Sequence, residues 1–217
     1  MYSQSVIDNT VAHVQRELEN AEGGHDWWHI YRVWKTARTI AEKENADMIV
    51  VELAALLHDI ADSKFHNGDE SIGPQRAGDF LRTLRIDEHI IIHVQNIIAN
   101  ISFKGGNETS HFSSLELNVV QDADRLDAIG AIGIARAFNY GGFKGRKLYD
   151  PNVPPKLNKT KEEYKNNTEP TINHFYDKLF LLKDRMNTET GKQLAQQRHD
   201  FMQQYVDQFY REWEGNT

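Results

Sequence analysis

The sequence has no cysteine among its 217 residues. This absence excludes disulfide bonds, thiolate nucleophiles, iron–sulfur clusters and zinc sites with cysteine ligands. No apolar run approaches the ~18–20 residues that a membrane helix needs, and the start of the chain lacks the pattern of a signal peptide, basic and then apolar. We therefore expect a cytoplasmic protein that does not contact a membrane.

Proline is also scarce, with five residues, four of them in the segment 151–170. Because proline disrupts helix interiors, the rest of the chain can form long helices. Apolar residues recur at helical spacing, and no stretch alternates with period two for long, so the sequence predicts an all-α fold. Helices are expected within residues 6–18, 30–41 and 50–57, and at about 70–85, 87–100, 114–138, 171–186 and 188–214.

The length of the chain suits one domain, so we expect a single domain over residues 1–217. A long irregular segment is predicted at about 139–170, and its residues 144–165 hold seven basic and three acidic side chains in a chain of net charge −7. The acidic balance excludes a protein that coats nucleic acid. The basic segment is either a mobile loop that covers a polyphosphate or, preferably from Lys156 onward, a solvated surface loop.

Candidate chemistry begins with the adjacent pair His58 and Asp59, which follows the most apolar helical stretch. Asp47 is predicted to cap the start of that helix. A carboxylate buried at its end without compensation costs several kcal/mol, so Asp59 requires a cation or a strong donor. In a chain with ten histidines and no cysteine, a metal ion with imidazole and carboxylate ligands meets this requirement.

Two further donors are predicted on other helices. His29 lies on an apolar helix face, which places its ring toward the core. Asp124 is predicted to share an inward face with Asp127 and Ala131, whereas Asp122 lies well round the helix. Each residue alone has a plainer explanation, as a hydrogen-bonded core histidine or a helix cap. Together, two imidazoles and two carboxylates suit an octahedral divalent ion with positions open to water.

The order of these residues resembles the signature of the HD-domain superfamily of metal-dependent phosphohydrolases: His29, then His58-Asp59, then Asp124 in an Ala-Asp-Arg-Leu run. Four blocks resemble, in order, the small single-domain bacterial group that includes nucleotide pyrophosphohydrolases. They are HDWWHIYRV, ALLHDIADSKF, DADRLDAIGAIGIARAF and HFYDKLFLLKDRMNTETGK. Because four blocks match between about residues 20 and 214, the resemblance is far more specific than an HD pair alone.

The resemblance implies a helical bundle of the HD type and a metal ion held by His29, His58, Asp59 and Asp124. The ion is expected to be Mn²⁺, with Mg²⁺, Fe²⁺, Co²⁺ and Ni²⁺ as alternatives. Asp124 matches the last ligand of the family because it precedes the Arg-Leu pair. Asp127 then becomes a candidate for catalysis that orients water beside the ligands.

Family members with two ions usually carry an adjacent pair of histidines, which this sequence lacks, so one ion is expected. His89 and His93, one helical turn apart, are the alternative ligands of a second ion. Asp62, one turn from Asp59, is the other candidate for catalysis, as the acceptor of a proton from water. The alternative for Asp62 is a surface carboxylate just past the helix end.

Cationic side chains are the candidates for contacts with phosphate. They are predicted at Lys64, Arg125, Lys144, Arg146, Lys178 and Lys183. For Arg125 the preferred alternative is a structural salt bridge to a buried acid. For Lys178 and Lys183 the commoner alternative is a surface lysine.

These expectations describe an enzyme that hydrolyses a phosphoric anhydride or ester of a small nucleotide. The resemblance implies a (deoxy)nucleoside triphosphate pyrophosphohydrolase, which releases monophosphate and pyrophosphate. A phosphomonoesterase, a cyclic-nucleotide phosphodiesterase and a regulatory module that binds nucleotides without turnover stay open. The oligomeric state stays open as well, with a homodimer as one candidate.

Overall fold

A computed structural model describes residues 4–19, 26–61, 69, 71–101, 112–157, 160 and 168–216. In these ranges every regular element is a helix, which confirms the all-α prediction. The elements are α1 (Gln4–Glu17), α2 (Trp27–Glu44), α3 (Met48–Leu57), α4 (Ile72–Thr83), α5 (Glu88–Asn100), α6 (Leu115–Asp127), α7 (Gly130–Phe143), α8 (Asn173–Asp177), a 3₁₀ helix (Leu179–Arg185) and α9 (Glu189–Trp213). None of the helices in these ranges has the length and apolarity to cross a membrane.

The chain divides into two compact units, Met1–Asp124 and Arg125–Thr217. The expectation of a single domain stays a prediction. The irregular segment starts later than its predicted boundary, because α7 continues to Phe143. The described residues of that segment beyond α7, which are 144–157, 160 and 168–170, contain no helix.

In the first unit, α3 forms the centre, with α1, α2 and α5 packed against it. Its side chains from Leu53 to Leu57 are fully buried, as expected for the most apolar helix of the unit. Asp47 caps α3 by accepting a hydrogen bond from the backbone N–H of Ile49 at 3.1 Å, which confirms the predicted cap. The centre of the unit therefore ends at the pair His58 and Asp59.

In the second unit, α9 packs against α7 and the 3₁₀ helix, with aromatic rings between them. Phe175 is fully buried, and its ring centroid lies 6.0 Å from that of Phe138 and 6.1 Å from that of Tyr205, on which it stacks. Such aromatic pairs stabilise a core beyond the area they bury. Ring contacts among α7, α8 and α9 therefore form part of the core of the second unit.

Two of the predicted helices are interrupted. The expected helix at 114–138 breaks after Asp127: Gly130 has a φ of +75°, a conformation that favours glycine, and α7 starts there. Ala131 therefore lies on a different helix from Asp124 and Asp127, and the prediction that the three share one face is wrong. The expected helix at 171–186 is the short α8 followed by the 3₁₀ helix.

Candidate metal centre

Three of the predicted donors, His29, His58 and Asp59, offer ligand atoms that all lie within 4.8 Å of one another. The Nε2 atom of His29 is 3.7 Å from an Asp59 carboxylate oxygen and 3.4 Å from one of Asp124. The Nε2 atom of His58 is 3.7 Å and 4.0 Å from the same two oxygens. The first unit thus brings two imidazole nitrogens and two carboxylate oxygens to one point.

His29 reaches this point from the first turn of α2. Asp26 precedes the helix with extended backbone angles, and its carboxylate accepts a hydrogen bond from the His29 backbone N–H at 2.9 Å. The first N–H groups of a helix have no partner within the helix, so this cap satisfies one of them. His29 is 2% exposed, and its ring is therefore shielded from bulk water.

The His58 ring reaches the same point from the C-terminal end of α3. Its Nδ1 lies 2.9 Å from the carbonyl oxygen of Ala55, so Nδ1 carries the proton and donates it to that carbonyl. In the neutral ring the buried Nε2 is then the acceptor nitrogen, and it has no hydrogen-bond partner among the described residues. A backbone carbonyl that fixes the tautomer in this way is typical of histidines that bind metals.

The two carboxylates lie on the more open side of the cluster. The side chain of Asp59 is 20% exposed and that of Asp124 is 40% exposed, whereas the two histidine side chains are 2–3% exposed. Asp122, expected to lie well round the helix, is instead completely buried. The prediction was therefore wrong about Asp122, whereas Asp124 faces the two histidines.

The four donors fit a divalent cation. A lone pair and two carboxylates that face one another in a largely buried site repel unless a positive charge lies between them. Their separations of 3.4–4.0 Å are longer than the ~2.7–3.2 Å of typical hydrogen bonds between N–H and oxygen. They lie between the ~3.0 and ~4.2 Å that separate ligands at ~2.1 Å in an octahedron, so small side-chain adjustments would bring all four atoms onto one ion.

A second ion has no comparable site in the part of the chain that the structure describes, where the group with His29 is the one cluster of three such donors found. His89 is exposed. His93 contacts the hydroxyl of Ser114 at 3.0 Å and a carboxylate oxygen of Glu116 at 3.5 Å. These contacts connect α5 to the start of α6 and account for His93 without an ion.

The other carboxylate oxygen of Glu116 contributes to the placement of the donors. This atom, Oε1, accepts a hydrogen bond from the backbone N–H of Asp47 at 3.0 Å. The bond joins the start of α6, which carries Asp124, to the start of α3, which leads to His58. The sequence did not indicate this role of Glu116, because Glu116 and Asp47 are 69 residues apart in the chain.

The candidates for catalysis are less well placed by the structure. Asp62 lies outside the described residues, as does Lys64. Asp127 is 3% exposed and forms an ion pair with Arg136 of α7. Burial lowers the pKa of Arg198, and the Asp127 carboxylate opposes this shift. Within the second unit, Asp127 therefore belongs to a charge cluster with two arginines, and its role beside the ion stays a prediction.

Several residues of the second unit that are predicted to contact phosphate have partners within the protein. Arg125 donates to the backbone carbonyl of Arg185 at 2.6 Å. Lys183 bonds Asp184 at 2.8 Å. Lys144 lies over the rings of Tyr140 and Phe143 at 5.6 and 5.3 Å, Arg146 lies 5.5 Å from the Tyr140 ring, and Lys178 is exposed. Their contacts with substrate remain predictions.

Comparison with known proteins identifies the family of the chain. The family model for the HD domain matches residues 27–129, a range that contains all four donors. The uncharacterized protein YpgQ of Bacillus subtilis (strain 168) is 39% identical over 203 residues, which cover 93% of this chain and 91% of YpgQ. The chain therefore belongs to the HD-domain family, and it is an enzyme of the metal-dependent phosphohydrolase class.

Solved structures show the same relationship. The crystal structure of an HD-superfamily hydrolase from Bacillus thuringiensis has a TM-score of 0.80 and 44% identity to this chain, covering 97% of this chain and 98% of that one. The crystal structure of Bacillus subtilis YpgQ in complex with ADP has a TM-score of 0.74 and 38% identity, with 96% and 95% coverage.

Proposed function

We propose that this hydrolase is a (deoxy)nucleoside triphosphate pyrophosphohydrolase that binds one Mn²⁺ through His29, His58, Asp59 and Asp124. The observation that carries the metal assignment is the buried Nε2 of His58, which has no hydrogen-bond partner among the described residues and faces two carboxylates. Support for a nucleotide comes from the relative YpgQ, whose structure was solved with ADP. A cytoplasmic location and a homodimer are part of the proposal.

When bound, the ion would polarise a phosphate oxygen and lower the pKa of a water molecule. The protein supplies the arrangement around it. The Ala55 carbonyl holds the His58 ring in the tautomer whose Nε2 can bind a cation. Because the histidines are buried and Asp59 and Asp124 are partly exposed, substrate approaches from the carboxylate side. Asp62 is proposed to accept a proton from water, and Asp127 to orient that water.

In the proposed reaction an oxygen of water bonds to the α-phosphorus, and the bond from that phosphorus to the bridging oxygen breaks. Nucleoside monophosphate and pyrophosphate are the products, and the water protons are released to solvent. Cationic residues would neutralise the phosphates of the substrate. We assign this role to Lys64, Arg125, Lys144, Arg146, Lys178 and Lys183.

Hydrolysis in ¹⁸O-labelled water tests the proposal. The purified protein is incubated with Mn²⁺ and a nucleoside triphosphate. The products are separated by chromatography, and the ¹⁸O content of each is measured by mass spectrometry. Label in the monophosphate supports attack at the α-phosphorus. Label in released orthophosphate means attack at the terminal phosphate and would establish a phosphatase instead, and absence of turnover on every nucleotide tested would favour the regulatory module.

The phosphate contacts can be tested through the charge of the substrate. Arg146→Ala is expected to weaken hydrolysis of a triphosphate much more than hydrolysis of a singly charged ester, because its proposed partner is a distal phosphate. Lys156→Ala, an exposed position in the same segment, is the matched control and should leave both rates unchanged. Equal losses on both substrates would contradict a role in binding distal phosphates.

A further inference from the structure

Asp26 contacts a proposed metal ligand through the backbone of that ligand. Its carboxylate accepts a hydrogen bond from the His29 N–H at 2.9 Å, and its own carbonyl accepts one from the Ile30 N–H at 3.3 Å. One residue thus holds the backbone of His29 and of its neighbour in the first turn of α2.

The first turn of a helix is where the backbone frays most easily, because its N–H groups lack partners within the helix. His29 lies in this turn, and its Nε2 reaches carboxylate oxygens at 3.4 and 3.7 Å. A metal site tolerates only small displacements of its ligands, so a change in the backbone of this turn moves a donor directly.

We propose that Asp26 is a positioning residue for the metal ion: by capping α2 it holds the backbone of His29 where the ring can bind the cation. This inference rests on the proposed role of His29 as a ligand. This role goes beyond ordinary helix capping. The residue whose N–H donates to the Asp26 carboxylate is His29, which is itself a proposed metal ligand. The charge of Asp26 is not required, because serine and asparagine cap helices as well as aspartate does.

The same unit contains a matched control. Asp47 caps α3 with the same type of side chain, accepting from the Ile49 N–H at 3.1 Å. The ligand that α3 leads to, His58, lies at the other end of this 10-residue helix, about 15 Å from the cap. Asp47→Ala removes only this side-chain cap and keeps the backbone N–H that Glu116 accepts, so it should destabilise the fold without displacing a donor.

Four variants of the full chain separate positioning from stability: Asp26→Ala, Asp26→Asn, Asp26→Ser and Asp47→Ala. The dissociation constant for Mn²⁺ is measured by calorimetry, and the stability of the metal-free chain by urea unfolding. Asp26→Ala should weaken Mn²⁺ binding about tenfold. Asp26→Asn and Asp26→Ser should restore it to within about threefold of the wild type. Asp47→Ala should lose a comparable amount of stability and keep the wild-type affinity.

Hydrogen exchange at the His29 amide, measured on the metal-free proteins, tests positioning without the ion. We expect protection in the wild type, fast exchange in Asp26→Ala, and protection regained in Asp26→Ser. The inference is overturned if Asp26→Ala binds Mn²⁺ as the wild type does, if Asp47→Ala weakens binding equally, or if the wild-type amide is unprotected. Absence of Mn²⁺ binding by a wild type with a protected amide would instead overturn the proposed metal site.

Discussion

His58 and His199 are the same side chain in two different surroundings. Each is nearly buried, at 6% and 7% exposure, and each has a ring nitrogen without a hydrogen-bond partner in the described ranges. His58 faces the carboxylates of Asp59 and Asp124 within 4.0 Å. His199 lies on α9 in the second unit, with its ring 5.2 Å from that of Phe180.

The charges around the two rings also differ. Burial is the main cause that lowers the pKa of His199, and the Lys183 cation lowers it further, against the opposing carboxylates of Asp200 and Asp184. The surroundings of His199 thus favour a neutral ring without a cation, whereas those of His58 favour a bound ion. A buried histidine therefore indicates a metal site only when acceptors converge on it from other elements.

The largest expected effect appears when a carboxylate near His58 is removed and the result is compared with removal of a carboxylate near His199. Asp124→Ala should lower nucleotide hydrolysis in the presence of Mn²⁺ by about 100-fold or more, because the ion loses a ligand. Asp200→Ala, whose carboxylate is exposed and bonded to Gln196, should leave the rate unchanged. Steady-state assays measure the rate of nucleotide hydrolysis by both variants. Equal rates would contradict the proposal that the surroundings of His58, and not those of His199, bind the ion.

A second effect is stabilisation by the ion. A ligand that binds only the native state raises the free energy of unfolding by about 2.7 kcal/mol at a concentration of 100 Kd. Thermal unfolding with and without Mn²⁺ should show this gain in the wild type and in His199→Ala but not in His58→Ala. Removal of the ion by a chelator should reverse it, and a gain of equal size in His58→Ala would contradict the assignment of the ligands.

Asp127→Asn should act on stability more than on the ion. The substitution leaves Arg136 facing a neutral partner in a half-buried pair, and we expect a loss of about 2 kcal/mol in the free energy of unfolding. Metal content, measured by plasma emission, should stay at the wild-type level while turnover slows. Loss of the ion in this variant would instead place Asp127 among the ligands.

The smallest effect concerns pH. Because the native pKa of His199 is lowered from its ordinary value of 6.5, the neutral ring contributes stability above that pH, and the contribution is lost as the pH falls below it. The metal-free His199→Gln variant should therefore lose less stability than the wild type between about pH 7.5 and about pH 5.5. Urea unfolding at both pH values measures this, and identical losses would mean that His199 titrates normally. His13, whose pKa burial also lowers, is present in both proteins and cancels.

Much of the proposed metal centre was predictable because its donors lie on the apolar faces of helices or at the end of an apolar helix. The run that ends at His58 is so apolar that its burial follows from composition, and a carboxylate at the end of such a helix requires a partner. The Asp26 cap had a sequence signal as well, an aspartate three residues before His29. These features are local, and local patterns predict local structure well.

The remaining features depend on contacts between distant residues or on backbone angles. Apolar residues continue through Ile129 and Ile134, so periodicity does not reveal the break that Gly130 makes. The bond from Arg125 to the Arg185 carbonyl joins positions 60 residues apart. Whether Asp122 or Asp124 is buried also depends on what packs against α6, which the spacing of the residues does not contain.

Equilibrium titration of the metal-free protein with Mn²⁺ tests the metal assignment most directly. The wild type and His199→Ala should each bind one ion per chain with the same affinity, and His58→Ala should bind none in the same concentration range. A wild type that binds no ion, or a His58→Ala variant that binds it as tightly as the wild type, would contradict the assignment of this cluster as the metal centre.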